Sequence, residues 1–99
     1  MTLPCLEFCE RCAFTEQIDA ACEPAGKNGK HKVTARLRRG KPGAEVTLCL
    51  VDPLWVKQRC RTRTVSAAGR AKAAWSNVPA GPWRVQMKEC NAFTEVTCR

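Results

Sequence analysis

The sequence predicts a mainly β fold: a small two-sheet sandwich, immunoglobulin-like or prealbumin-like, stapled by disulfides and preceded by a cysteine-rich segment that is helical or irregular. Three observations predict it. Eight cysteines stand in 99 residues, an even number in a length that suits one domain and builds only a modest core, where crosslinks help most. From residue 30 onward apolar and polar residues alternate, as half-buried strands require. Turn-forming Gly, Pro, Asn and Asp interrupt that alternation at short intervals.

The first 25 residues read differently from the alternating body. Pro4 suits the first turn of a helix, and Cys5, Cys9 and Cys12 would share one helical face. Residues 16–22 are expected to continue that helix, with a loop tied down by disulfides as the alternative. Pro24, Gly26 and Asn28-Gly29 end any regular element there. The expected organisation is one domain: an acidic segment over residues 1–30 packed on a β-sandwich over 31–99.

Six strands are expected in the body. Residues 32–39 set Val33, Ala35 and Leu37 against Arg36 and Arg38, and 44–51 carry the apolar stripe Val46, Leu48 and Leu50. Residues 56–65 place Lys57, Arg59, Arg61 and Arg63 on one side and Gln58, Cys60, Thr62 and Thr64 on the other. Residues 70–76 oppose Arg70 and Lys72 to Ala71, Ala73 and Trp75; residues 83–89 oppose Arg84 and Lys88 to Val85 and Met87. Residues 93–98 form the last strand. Gly40-Lys41-Pro42-Gly43, Asp52-Pro53, Ala67-Ala68-Gly69 and 77–82 supply the turns.

Charge divides the chain. Residues 1–26 hold five acids against Arg11, and residues 27–99 hold sixteen bases against four acids, for a net charge of +8. An acidic segment lying on a basic body would neutralise part of this field. The strand parity predicts sheets that are apolar inside and cationic outside, and from Lys57 to Lys88 there are eight bases and no acid. The candidate anion-binding residues are therefore Arg36, Arg38, Lys57, Arg59, Arg61, Arg63, Arg70, Lys72 and Arg84. A solvated, aggregation-resistant surface is the ordinary explanation for such charges.

Residues 69–85, read with the stripe at 44–51, resemble the closing part of carboxypeptidase-regulatory-like and Cna-B-type prealbumin-like sandwiches. The run has a glycine, a strand ending in an aromatic at Trp75, then Asn77-Val78-Pro79-Ala80-Gly81-Pro82-Trp83 and an alternating strand. Fibronectin-type sandwiches share a similar corner. The resemblance implies a structural or ligand-binding module, with Trp75 and Trp83 turned into the core. Residues 1–30 match nothing in that family, and no lysine and asparagine can be assigned to the isopeptide crosslink such domains often carry.

The cysteines are expected to be bridged: Cys5, Cys9, Cys12, Cys22, Cys49, Cys60, Cys90 and Cys98. Cys90 and Cys98 lie symmetrically about Thr94, so a hairpin there would bring them within bridging distance. Some of the N-terminal cysteines should staple that segment to the strands bearing Cys49 and Cys60. Cys5-x3-Cys9-x2-Cys12 has the spacing of a radical-enzyme iron–sulfur site, but the chain is too short for the barrel such chemistry needs. A zinc site would want a second close pair or a Cys-His partner. His31, between Lys30 and Lys32, is expected to be an exposed turn residue. No metal, cofactor or catalytic residue is assigned, since no nucleophile, base and acid can be assembled from one histidine and two aspartates.

The sequence thus points to a secreted, extracellular or periplasmic binding module and not an enzyme. Its expected partner is an anionic polymer or surface such as a sulfated glycan, a cell-wall polymer or lipopolysaccharide. Nucleic acid fits less well, because exposed aromatics do not interleave the bases. No stretch is long and apolar enough for a membrane span, and residues 1–5 carry no signal-peptide pattern. Two alternatives remain: an effector, toxin or protease inhibitor contacting a protein through loops at Leu54, Trp55, Val78 and Pro79, and a zinc- or iron-binding cysteine protein.

Overall fold

The computed structural model describes residues 12–13, 15–24, 29–52, 58–88, 90 and 92–99. Within these residues seven strands run β1 Gln17–Glu23, β2 His31–Arg38, β3 Glu45–Val51, β4 Gln58–Thr64, β5 Ala71–Val78, β6 Gly81–Met87 and β7 Phe93–Cys98. All pairings are antiparallel. They form a three-stranded sheet, β1-β2-β5, and a four-stranded sheet, β4-β3-β6-β7. This is an immunoglobulin-like sandwich in which the fourth strand pairs with the third instead of with the fifth.

The alternation that defines each strand also fills the space between the sheets. Val33, Ala35, Leu37, Ala73 and Trp75 from one sheet meet Val46, Leu48, Leu50, Val85 and Met87 from the other, all buried. Trp75 is fully enclosed, and its indole N–H has no hydrogen-bond acceptor among the described residues. Trp83 packs against this core from its rim and donates its indole N–H to the Pro79 carbonyl at 3.0 Å, bracing the corner where the chain leaves β5 and enters β6. Both tryptophans thus turn inward, as their place around that corner implies.

Two sheet-to-sheet crossings clasp each other at one end. The Gly40 N–H donates to the Gly69 carbonyl at 2.9 Å, and Gly43 donates to the Val65 carbonyl at 2.8 Å. Gly69 has φ +77°, and a Cβ there would stand 3.0 Å from the Gly40 carbonyl oxygen. Conformation and close approach both call for glycine at that point.

Residues 16–22 are not helical. Ile18, Ala20 and Cys22 face the core while Gln17, Asp19, Ala21 and Glu23 face away, and the segment pairs along β2 as an edge strand. The sandwich therefore starts well before residue 31. The expected helical face of Cys5, Cys9 and Cys12 lies largely outside the described residues. His31 is also placed differently: it opens β2 on the inward parity of Val33 and is buried, its Nδ1 3.0 Å from the Glu23 carbonyl oxygen.

Among the described residues three disulfides are formed: Cys12–Cys90, Cys22–Cys98 and Cys49–Cys60. The expected Cys90–Cys98 bridge is absent because the chain does not turn at Thr94. Residues 93–98 are one uninterrupted strand, and its β-favouring Phe, Thr and Val resist a tight turn. Nor does the N-terminal part bridge to Cys49 or Cys60, which are directly opposite each other on β3 and β4, with Cα atoms 4.0 Å apart. Cys5 and Cys9 lie outside the described residues. Three disulfides fit an oxidising environment, extracellular or periplasmic. Among the described residues no helix is long and apolar enough to cross a membrane.

Candidate functional site

The cations that the sequence places on one exterior divide among three places. The first is the open face of the three-stranded sheet. On β2, Lys32, Thr34, Arg36 and Arg38 point away from the core; on β5, Lys72 and Ala74 do; on β1, Gln17, Asp19, Ala21 and Glu23 do. The register sets Asp19, Arg36 and Lys72 in one row across the sheet. Adjacent strands are about 4.8 Å apart, so Arg36 and Lys72 are like charges on neighbouring backbones.

Arg70 enters the same face from the turn before β5. The Ser66 hydroxyl accepts its backbone N–H at 3.2 Å, and its carbonyl accepts the Ser66 N–H at 2.8 Å. Together Asp19, Arg36, Arg38, Ser66, Arg70 and Lys72 line a shallow depression. Asp19 is engaged by Arg38 in an ion pair, with both side chains more than half exposed. Among the described residues no carboxylate comes within ion-pair distance of Arg36, Arg70 or Lys72. Asp19 of β1 thus neutralises one edge of this face, and the β5 side stays positive.

The second place is the β4 edge, and it corrects an expectation. Arg59, Arg61 and Arg63 are opposite Leu50, Leu48 and Val46, so they share the inward parity and are not on the outer face. The three-stranded sheet has no strand beneath β4 for them to bury against; its own edge strand, β5, approaches β4 from the side. Arg59 Nη1 reaches across to donate to the Ser76 carbonyl at 2.8 Å, and Arg63 Nε donates to the Lys72 carbonyl at 3.1 Å. These guanidinium groups cap the free edge of β5 and join the two sheets there. Inward-pointing charge on an edge strand is a known protection against edge-to-edge pairing. Arg61 is exposed and donates to the Cys60 carbonyl at 3.4 Å.

The third place holds Arg84, on the outer face of the four-stranded sheet. It donates to Glu95 at 3.1 Å and lies 4.6 Å from the centre of the Phe93 ring, the one large hydrophobic side chain exposed among the described residues. Arg84 is thus a paired residue remote from Arg36 and Lys72. Lys57, Leu54 and Trp55 lie outside the described residues. Of the expected contact loop, Pro79 is exposed, but Val78 is fully buried as the last inward residue of β5 and offers no surface.

The opposite side of the sandwich is joined by sulfur. Cys22 on β1 and Cys98 on β7 link the two remaining edge strands, and buried His31 stands beside that bridge. Parity could have found His31, since it continues the stripe of Val33, Ala35 and Leu37. Comparison with known proteins gives no match: no family model, no curated protein and no solved structure is similar to this chain.

Proposed function

We propose that this protein is a secreted, disulfide-rich binding module that holds an anionic polymer against the open face of its three-stranded sheet. The observation that carries this reading is the register pair Arg36 and Lys72, flanked by Arg70, with no carboxylate partner among the described residues at any of the three. Like charges directly opposite across strands destabilise a sheet, and a surface serving solubility alone is free to intersperse acids there. A polyanion turns that cost into affinity, because each sulfate or phosphate lies between cations already held on rigid strands and releases its counterions on binding.

Arg36, Arg38, Arg70 and Lys72 carry the site; Arg59 and Arg63 serve the join between the sheets; Arg84 stands apart. The arginines favour sulfate and phosphate, whose oxygens match a planar guanidinium fork. Sulfated glycans, phosphate-bearing cell-wall polymers and lipopolysaccharide share this chemistry. The module acts by binding and not by turnover, in keeping with the likeness of residues 44–89 to carboxypeptidase-regulatory-like and Cna-B-type sandwiches.

The test is retention on immobilised heparin in a salt gradient. The variant R36A/R70A/K72A should elute far earlier than the parent, whereas R59A/R61A/R63A should elute close to it. If the first variant elutes with the parent, the assignment fails; if the second alone loses retention, the site belongs to the β4 edge instead.

A further inference from the structure

The two disulfides that tie the N-terminal part of the chain to its C-terminal part have something the third lacks. Each carries an additional metal-ligating group: His31 beside Cys22 and Cys98, and Glu16 beside Cys12 and Cys90, the ligand atoms of each trio lying within 4.8 Å of one another. Among the described residues no such group accompanies Cys49–Cys60. We propose that in the reduced chain Cys22, His31 and Cys98 form a Zn²⁺ site, so that coordination holds β1 to β7 where the disulfide holds them after oxidation.

The histidine is arranged for this task. It is buried, and its Nδ1 faces the Glu23 carbonyl oxygen at 3.0 Å. A carbonyl only accepts, so the proton belongs on Nδ1 and Nε2 is the nitrogen left with a lone pair for a metal. Metal-binding histidines are characteristically fixed by a hydrogen bond of this kind. Two thiolates and an imidazole are soft and borderline donors, which select zinc over magnesium or calcium. Cys98 is buried and Cys22 is half-buried, so water reaches the fourth coordination position from the Cys22 side, giving an open tetrahedral site. The sulfurs must part to about 3.8 Å to share a tetrahedral zinc ion, and Cys22, on an edge strand, has the freedom to move.

Formation requires a reductant of the dithiol class. The disulfide takes up two electrons and two protons to give two thiols while the dithiol closes to its own disulfide, and Zn²⁺ then displaces both thiol protons to solvent. Cys12, Glu16 and Cys90 offer the corresponding second site with a carboxylate as third ligand.

The experiment is an anaerobic titration of phosphine-reduced protein with Co²⁺ and then Zn²⁺, following thiolate-to-cobalt absorption and far-ultraviolet circular dichroism. The reduced chain should bind metal with its β signal retained, H31Q should weaken one ion at least about tenfold, C49A/C60A should bind as the parent does, and the oxidised protein should bind none. Metal affinity unchanged in H31Q overturns the proposal, and so does binding lost in C49A/C60A. Chelation by a chain without β signal, equal in parent and H31Q, overturns it as well.

Discussion

Removing the disulfides one pair at a time, and then two together, tests how the ends of the chain are held. Cys12–Cys90 and Cys22–Cys98 span 78 and 76 residues, but their loops overlap, each beginning or ending inside the other, so they do not act independently on the unfolded chain. With either in place, the other closes a ring from 12 to 22 and from 98 back to 90, about 18 residues of chain. By the loop-closure relation such a ring is worth about 3.2 kcal/mol, whereas the first crosslink over the long span is worth about 4.5 kcal/mol. C12A/C90A and C22A/C98A should therefore each cost about 3.2 kcal/mol, and the quadruple variant about 7.7 kcal/mol, more than the two costs added. Cys49–Cys60, across 11 residues, should cost about 2.8 kcal/mol when removed. Guanidinium unfolding of the oxidised variants reads these values directly. A quadruple variant that costs no more than its two parents together refutes the overlapping arrangement.

The remaining predictions concern the surface and one turn. R59A/R63A should lose about 0.5 to 1.5 kcal/mol for each hydrogen bond to β5, read by thermal unfolding, and a stability equal to the parent contradicts their role in joining the sheets. D19N should leave stability within about 1 kcal/mol, since the Asp19–Arg38 pair is exposed, while moving heparin elution to higher salt by releasing Arg38. Earlier elution would oppose the proposed face. G69A should destabilise by about 1 to 2 kcal/mol, because φ is +77° and the added methyl meets the Gly40 carbonyl. An unchanged melting temperature would show that this turn relaxes.

Much of the fold is legible because period-two alternation is a direct record of two-sided strands. Phe93–Cys98 coincides with its expected range, and β2, β3 and β5 begin or end within two residues of theirs. β1 is missed although Ile18, Ala20 and Cys22 alternate with polar residues, because Glu16, Gln17, Ala20 and Ala21 are also good helix formers and the segment is short. Only its pairing with β2 decides between the two. The β4 arginines illustrate a different limit. Neither side of that strand is apolar, so alternation separates its residues into two sets without saying which set faces inward. The deciding signal is the Cys49–Cys60 pair: Cys49 has the parity opposite to Leu48 and Leu50, so its partner Cys60 faces out and the arginines face in. Spacing alone cannot deliver that pairing. The same gap explains the misplaced Cys90–Cys98 bridge, since symmetry about Thr94 carries no information on where the chain turns.

The most direct test of the cationic face is the dissociation constant of a sulfated oligosaccharide of defined length, measured across a range of salt concentrations for the parent and for R36A/R70A/K72A. The parent should show a steep, linear dependence of log Kd on log salt, and the variant should be both weaker and shallower by the loss of about three released counterions. Binding that is indifferent to salt, or a variant with the slope of the parent, contradicts the account.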